Sequence, residues 1–242
     1  MATQDQKPVV LAIPKREHLS SAEAISTIVN KSKTLRLTAL KRSPSAFTST
    51  YAREIQFNED TWTNRAFNPL TRIYIALSPS ATSANIRPES NEDNGSHSIE
   101  QILIDRRWLG QVTLMGPVVL PTDGEKANSA PWELFKGLDF EQAATDAQGI
   151  PPGSKVVYVL LGMYVLPEKR GVGHGRSLLE AATGTVREEA KGKKVDATLV
   201  VLVGRENERA KKLYERVGFV PWEETVDVEG EEHWPLSLDV GQ

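Results

Sequence analysis

Residues 170–176, with the sequence RGVGHGR, place three glycines at alternate positions between two arginines. Glycine leaves backbone N–H groups open to a ligand, and apolar residues at helical spacing begin at Leu178, directly after this loop. A helix N-terminus adds unpaired N–H donors and partial positive charge, and Arg170 and Arg176 add fixed charge. The stretch therefore predicts a cradle for an anionic group, most naturally a phosphate.

Two common phosphate-binding loops do not fit this stretch. A P-loop requires G-x-x-x-x-G-K-[ST], but Arg170 stands five positions before Gly175 and Arg176 occupies the lysine position. The dinucleotide fingerprint G-x-G-x-x-G, started at Gly171, would need its third glycine at position 176. Its acidic partner is also poorly met, because Glu206 lies too far along the chain. A merely structural turn and a different phosphate loop are the readings that remain.

The pattern Arg170-x-x-Gly173-x-Gly175 resembles the pyrophosphate loop of the GNAT superfamily of N-acetyltransferases, which bind acetyl-coenzyme A. A second motif lies downstream, Asn207-x-x-Ala210-x-x-x-Tyr214-x-x-x-Gly218-Phe219, and is similar to the family's next helix with the glycine that ends it. The resemblance is close over roughly residues 156 to 225 and extends only to layout before that. It implies a GNAT fold, with a mixed, mostly antiparallel central sheet flanked by helices and two central strands that splay apart.

The resemblance also implies which residues would bind acetyl-coenzyme A. Backbone N–H groups of the loop would hold the pyrophosphate, with His174 exposed and contributing only its backbone. The end of the preceding strand would expose a backbone edge to the pantetheine arm and polarise the thioester carbonyl. Asn207 would reach the cofactor as well as cap its helix. The cofactor-binding residues expected are Met163, Tyr164, Val165, Arg170, Gly171, Val172, Gly173, His174, Gly175, Arg176, Asn207 and Ala210.

Two residues are candidates for proton transfer. The resemblance makes Tyr214 the acid that protonates the leaving thiolate, whereas its position on the stripe of Ala210 and Val217 is also typical of a buried aromatic residue. The base is open between a water chain and Glu54, because the strand at 156–165 carries no carboxylate. The chain has no cysteine, which argues for direct attack in a ternary complex over a covalent thioester intermediate.

The elements that must position these residues can be traced along 242 residues of globular composition, 39% hydrophobic and 25% charged. Strands are predicted at 9–13, 72–77, 108–116, 156–165, 197–203, 219–224 and 235–240, with two helices early in the chain and one after each of the fourth and fifth strands. Ser20 with Glu23 predicts a capping box for the first helix, and Gly192 predicts a left-handed cap after Lys191. This order favours an α/β protein with a mixed sheet, and we expect one GNAT domain over residues 1–242.

Two long polar or proline-rich connections interrupt this pattern. Residues 78–98 contain almost no large apolar side chain, and residues 117–155 contain five prolines, although 131–144 are apolar enough for a short ordered segment. We expect both connections to be flexible insertions.

The sequence predicts only the chemical class of the acceptor. Residues 222–232 contain six acidic and no basic residues, which indicates a solvated edge or, more sharply, a site for a cationic acceptor. The expected acceptor is the primary amine of a small molecule or peptide. A non-catalytic module that binds coenzyme A or acyl-coenzyme A is the alternative.

The net charge of −3 gives no sign of nucleic-acid binding, and the four scattered histidines give no metal site. No apolar run has the length of a membrane span, so we expect no membrane partner and a cytoplasmic monomer or homodimer.

Overall fold

The computed structural model describes residues 8–79, 98–121 and 130–241. Their eight strands form one sheet in the order β1-β2-β3-β4-β5-β8-β6, and β7 pairs with β8. The strands are β1 (Val9–Ala12), β2 (Thr71–Leu77), β3 (Trp108–Val119), β4 (Lys155–Val165), β5 (Asp196–Gly204), β6 (Val220–Pro221), β7 (Val226–Val228) and β8 (Glu231–Val240). The α-helices are α1 (Ala22–Arg42), α2 (Tyr51–Glu54), α3 (Glu59–Ala66), α4 (Ile99–Asp105), α5 (Phe140–Asp146), α6 (His174–Lys193) and α7 (Glu208–Val217). No helix in these ranges is long and apolar enough to cross a membrane.

The sheet is antiparallel except where β4 meets β5. These two strands pair in parallel from Lys155 opposite Asp196 to Val159 opposite Val200, and then separate. Beyond that point β4 stays paired with β3, and β5 stays paired with β8. The parallel connection requires a crossover, which α6 supplies. The predicted fold class, including the splayed central strands, is confirmed.

Apolar side chains cover both faces of the sheet. On one face α6 buries Leu178, Leu179, Ala182 and Val186 in a large core cluster with alternate residues of the central strands. On the other face α1 packs Ile28, Leu35 and Ala39 against β2 and β3. A separate small cluster lies on β4 and β5, where Val157, Val159 and Val200 pack against Trp132, Leu134 and Phe135.

This small cluster corrects the expectation of a flexible insertion over residues 117–155. Within it, β3 continues to Val119, a 3₁₀ helix runs from Pro131 to Phe135, and α5 follows. Trp132 and its neighbours gain an apolar surface on the sheet that their sequence alone does not reveal. Residues 122–129, like residues 80–97 of the other predicted insertion, lie outside the described residues.

Four helix ends were predicted from local signals, and the two ends of α7 agree with the structure without change. α7 begins at the cap Asn207, whose Oδ1 accepts from the N–H of Ala210 at 3.2 Å, and it ends at Gly218 with φ of 105°. The cap of α1 is Ser21 and not Ser20. α6 continues through Gly192, and Lys194 takes the left-handed conformation with φ of 55°, so the cap lies two residues later than predicted.

Candidate active site

The separation of β4 from β5 opens a cleft of about 690 Å³. One wall is the end of β4, with Leu161, Gly162 and Met163, and the opposite wall is the end of β5, from Val201 to Gly204. α7 closes the cleft on the β5 side with Asn207, Ala210 and Tyr214. The cleft continues over the sheet face that α1, α3 and the 3₁₀ helix Pro131–Phe135 border. An extended ligand that lies between the ends of β4 and β5 would therefore reach the part of the cleft over the sheet face.

A β-bulge shapes the β4 wall of this cleft. Gln111 faces Tyr164 and Thr113 faces Leu161, so Gly162 and Met163 together oppose a single residue of β3. Gly162 has φ of 60°, which glycine adopts without the steric cost of a side chain. Sequence analysis did not single out this residue, although a glycine inside the apolar run 156–165 is a signal for a bulge.

The glycine loop joins β4 to α6 beside this cleft. Gly171 and Gly173 have φ of 85° and 91°. Within the described chain, the backbone N–H groups of residues 171–176 have no protein acceptor, and the first bond of the helix runs from Ser177 to the Gly173 carbonyl at 3.0 Å. A Cβ on Gly175 would lie 3.0 Å from Leu213 and 3.2 Å from Met163, so this glycine lets α6 begin tightly between β4 and α7. The unpaired donors fit a pyrophosphate.

The two loop arginines do not supply the free charge that was predicted from the sequence. Arg170 turns inward, where its Nε donates to the Val165 carbonyl at 2.9 Å and its Nη2 donates to Ser43 at 3.1 Å. Arg176 pairs with Glu180 one turn along α6, at 2.7 Å. Arg170 thus holds the loop against the end of β4 and the end of α1. The loop's attraction for an anion rests on its backbone donors.

His174 is buried and not exposed as expected, because the first turn of α6 lies against the body of the protein. Its Nδ1 has no hydrogen-bond partner among the described residues. Burial, followed by the nearby charge of Lys169, lowers the pKa of His174, so the ring is neutral at neutral pH. Its backbone N–H remains among the unpaired donors of the loop.

Tyr214 lies inside the cleft with 3% of its surface exposed. Its ring packs edge-on against Phe219, with 5.3 Å between centroids. Its hydroxyl makes no hydrogen bond to the described residues, and burial raises the pKa of Tyr214 well above its ordinary value. The phenol is therefore protonated at neutral pH and is free to donate to a bound group.

Glu54 is fully buried beneath the outer part of the cleft, between two arginines. Arg36 donates to it through Nη2 at 2.6 Å and through Nε at 3.0 Å, and Arg65 donates through Nη1 at 2.8 Å. Burial alone would raise the pKa of Glu54, but these hydrogen bonds outweigh burial and lower the pKa to about 2. Glu54 is thus a structural counter-ion and not the free base that the sequence suggested.

The acidic run 222–232 reaches the cleft only through the apolar Val228. Its six carboxylates are all exposed, and none of them lines the cleft. Glu232 at its end forms an ion pair with Arg205. The carboxylates therefore form a solvated edge next to the cleft, and none of them lies on the cleft wall.

Three cleft residues could not be predicted from the sequence, because they lie far apart along the chain and meet only in the folded protein. Arg36 comes from α1 and Arg65 from α3. His233 comes from β8, opposite Gly204 of β5, and its Nδ1 lies 2.9 Å from the Glu231 carbonyl. That contact favours a proton on Nδ1 and leaves Nε2 as an acceptor.

Comparisons with known proteins agree with this geometry. Residues 140–221 match the sequence family described as "Acetyltransferase (GNAT) domain". Arabidopsis thaliana NAA60, solved in complex with acetyl-CoA, has a similar structure, with a TM-score of 0.50 and 13% identity over 96% of this chain and 99% of that chain. The chain has the GNAT fold. A GNAT-family acetyltransferase from Streptococcus pneumoniae is similar to the same extent, with a TM-score of 0.50 and 12% identity over 96% of this chain and all of that chain (100%). No curated protein sequence matches the chain.

The resemblance to the GNAT family that the loop and the Asn207–Phe219 motif predicted is borne out by the family match over residues 140–221. The family match begins at Phe140, inside the connection that the sequence suggested was an insertion. α5 and the segment after it thus belong to the part of the chain that resembles the GNAT family.

Proposed function

We propose that this protein transfers an acetyl group from acetyl-coenzyme A to a primary amine by direct attack in a ternary complex. The observation that carries the proposal is the cleft between β4 and β5, which has unpaired N–H donors of residues 171–176 at one side and the Tyr214 phenol inside. Acetyl-coenzyme A supplies a thioester that an amine can attack. The match to acetyltransferases over residues 140–221 supports the same chemistry.

In this proposal the loop donors bind the pyrophosphate, and the unpaired edge at the end of β4 binds the pantetheine arm through the backbone of Met163, Tyr164 and Val165. Asn207 and Ala210 contact the arm from the opposite wall of the cleft. The β4 edge also aligns the thioester carbonyl for attack and donates to its oxygen as negative charge develops there.

Tyr214 acts where the carbon–sulfur bond breaks. A buried phenolate is costly, so we assign the phenol a relay role: its proton goes to the departing sulfur, and it recovers one from the amine nitrogen as the amide bond forms. With Glu54 committed to two arginines, water or His233 would remove the proton that an ammonium acceptor must lose before attack.

Steady release of thiol from acetyl-coenzyme A, dependent on both the protein and an added amine, is the expected result in a thiol assay with an amine panel. The panel should include neutral amines, diamines, amino acids and peptides, because the proposal requires only a primary amine. Saturable binding of acetyl-coenzyme A with no amine-dependent release would favour the non-catalytic binding module.

Coenzyme A should stabilise the protein by about 2.7 kcal/mol at a hundredfold excess over its dissociation constant. Gly173→Val should remove most of this shift, because φ of 91° is strained for valine and the new side chain would disturb the phosphate-binding donors. Thermal unfolding with and without coenzyme A gives the measurement.

Gly153→Val is the matched control for backbone strain. Gly153 has φ of 83°, and a Cβ there would meet nothing within 4 Å, but the residue lies outside the cleft and the loop. This variant should lose melting temperature yet keep the full coenzyme A shift. Normal coenzyme A binding by Gly173→Val would show that the loop has been assigned wrongly.

A further inference from the structure

We infer that the acceptor is an amine with a carboxylate close to the amino group, in the manner of an α-amino acid with a large apolar side chain; this rests on the proposed function. The described residues that line the cleft include three with charged side chains, Arg36, Arg65 and Lys136, and no aspartate or glutamate. Lys136 pairs with Glu133 at 2.7 Å, so the uncompensated positive charge of this lining comes from Arg36 and Arg65. That charge disfavours an acceptor that carries a second positive charge. It attracts an acceptor that carries a negative one.

Arg36 is the group best placed to bind that carboxylate. Its Nε and Nη2 are occupied by Glu54, while Nη1 has no acceptor among the described residues. The guanidinium is also packed over the Phe47 ring, with its central carbon 4.7 Å from the ring centroid. Arg36 is therefore held in one orientation, with a donor left free, before any acceptor binds.

The free donor lies at the reacting end of the cleft. A Cβ placed on Gly162 would be 3.9 Å from Nη1 of Arg36. Gly162 belongs to the β4 bulge, just beyond the point where β4 and β5 separate. An anion bound to Nη1 would thus be close to an amine that attacks a thioester held along β4, which suits a carboxylate on the carbon next to the nitrogen.

The net charge of Arg36, Arg65 and Glu54 determines which anion charge they favour. Two guanidinium groups and one carboxylate leave a single positive charge, with Arg65 half-exposed beside Arg36. A carboxylate neutralises that charge and matches the planar donor geometry of arginine. A phosphate dianion would leave an excess negative charge.

Aromatic side chains form the rest of this part of the cleft. Phe47 and Trp62 line it on the side of α1 and α3, and Trp132 and Phe135 line it on the side of the 3₁₀ helix. Trp132 is supported from behind by Trp222, with 5.6 Å between ring centroids. These walls favour an aromatic or large aliphatic side chain on the acceptor.

The test compares phenylalanine, phenylalaninamide and 2-phenylethylamine as acceptors at one pH. We expect kcat/KM for phenylalanine to exceed that for phenylalaninamide by about tenfold to a hundredfold, as for one charge-assisted hydrogen bond. The amide has the less basic amine and therefore more free base, so amine basicity works against this result. Equal turnover of the amide and the acid would overturn the inference while leaving acetyl transfer intact. Absence of thiol release with every amine would contradict the proposed function itself.

Arg36→Gln should bring the acid-to-amide ratio of kcat/KM down to near one. This ratio is measured within one protein sample, so a partly unfolded variant does not distort it. Lys33→Gln is the matched control, because Lys33 lies on α1, carries the same charge and pairs with Glu59 outside the cleft. It should keep the ratio of the unmodified protein. An unchanged ratio in Arg36→Gln would overturn the assignment of the carboxylate to Arg36.

Discussion

Tyr214→Phe should lower the turnover number by about 10² to 10⁴, the usual value of positioned acid–base help. The substitution keeps the ring and its edge-on contact with Phe219, and it removes only a hydroxyl that bonds to no described residue. Affinity for coenzyme A and the melting temperature should therefore barely change. Single-turnover and steady-state rates, measured beside coenzyme A titrations, separate the two effects.

Tyr158→Phe provides the reciprocal control. Tyr158 is also buried, but its hydroxyl donates to Glu189 at 2.8 Å on the α6 face of the sheet, away from the cleft. This variant should lose stability and retain turnover. With acyl donors that have a more acidic leaving thiol, the turnover number of Tyr214→Phe should fall less, because such a thiol leaves with less help from a proton donor. If Tyr214→Phe turned over at the rate of the unmodified protein, Tyr214 would have only a packing role.

Glu54→Gln should lower the free energy of unfolding by about 3–5 kcal/mol, the usual cost of breaking a buried ion pair. Glutamine keeps the shape of the side chain but leaves Arg36 and Arg65 without their shared counter-ion. Denaturant unfolding at neutral pH gives the measurement. Glu59→Gln is the control, because its ion pair with Lys33 is largely exposed and should contribute less than about 1 kcal/mol.

The loss of folding stability at low pH should depend on the same Glu54 carboxylate. The pKa of Glu54 falls from 4.5 to about 2 on folding, so its stabilising contribution is complete above about pH 4.5 and is lost as the pH falls towards 2. The loss should reach roughly 3 kcal/mol. In Glu54→Gln this part of the pH dependence should disappear. If the free energy of unfolding fell equally in both proteins as the pH is lowered, the arginines would not be lowering the pKa of Glu54.

Local signals in the sequence were sufficient to predict where the glycine loop and the Asn207–Gly218 helix lie. The glycine loop and the Asn207–Gly218 helix depend on backbone conformation within a few residues, so their motifs carry the necessary information. The splay of β4 from β5 came from resemblance, since no single residue in either strand specifies it. The Gly192 prediction failed because the helix could continue for two more residues at the modest cost of a left-handed lysine.

The acceptor side could not be predicted in this way. Arg36, Glu54 and Arg65 lie on three different helices, and only the folded chain brings their side chains within hydrogen-bond distance. Each of them alone is typical of a solvated helix surface. Trp132 and Phe135 likewise lie in a proline-rich connection, and the apolar surface that orders them belongs to β4 and β5.

The two halves of the cleft come from separate stretches of the chain, and this division affects how the protein can diverge. β4, the loop, α6, β5 and α7 form one continuous segment that holds every donor-side residue. The acceptor walls come from α1 to α3 and from the 3₁₀ helix Pro131–Phe135. Substitutions in these two stretches change the shape and charge of the proposed acceptor pocket without altering the loop proposed to bind the pyrophosphate. Acceptor specificity can thus change through substitutions in these two stretches, while the continuous segment proposed to bind the donor stays the same.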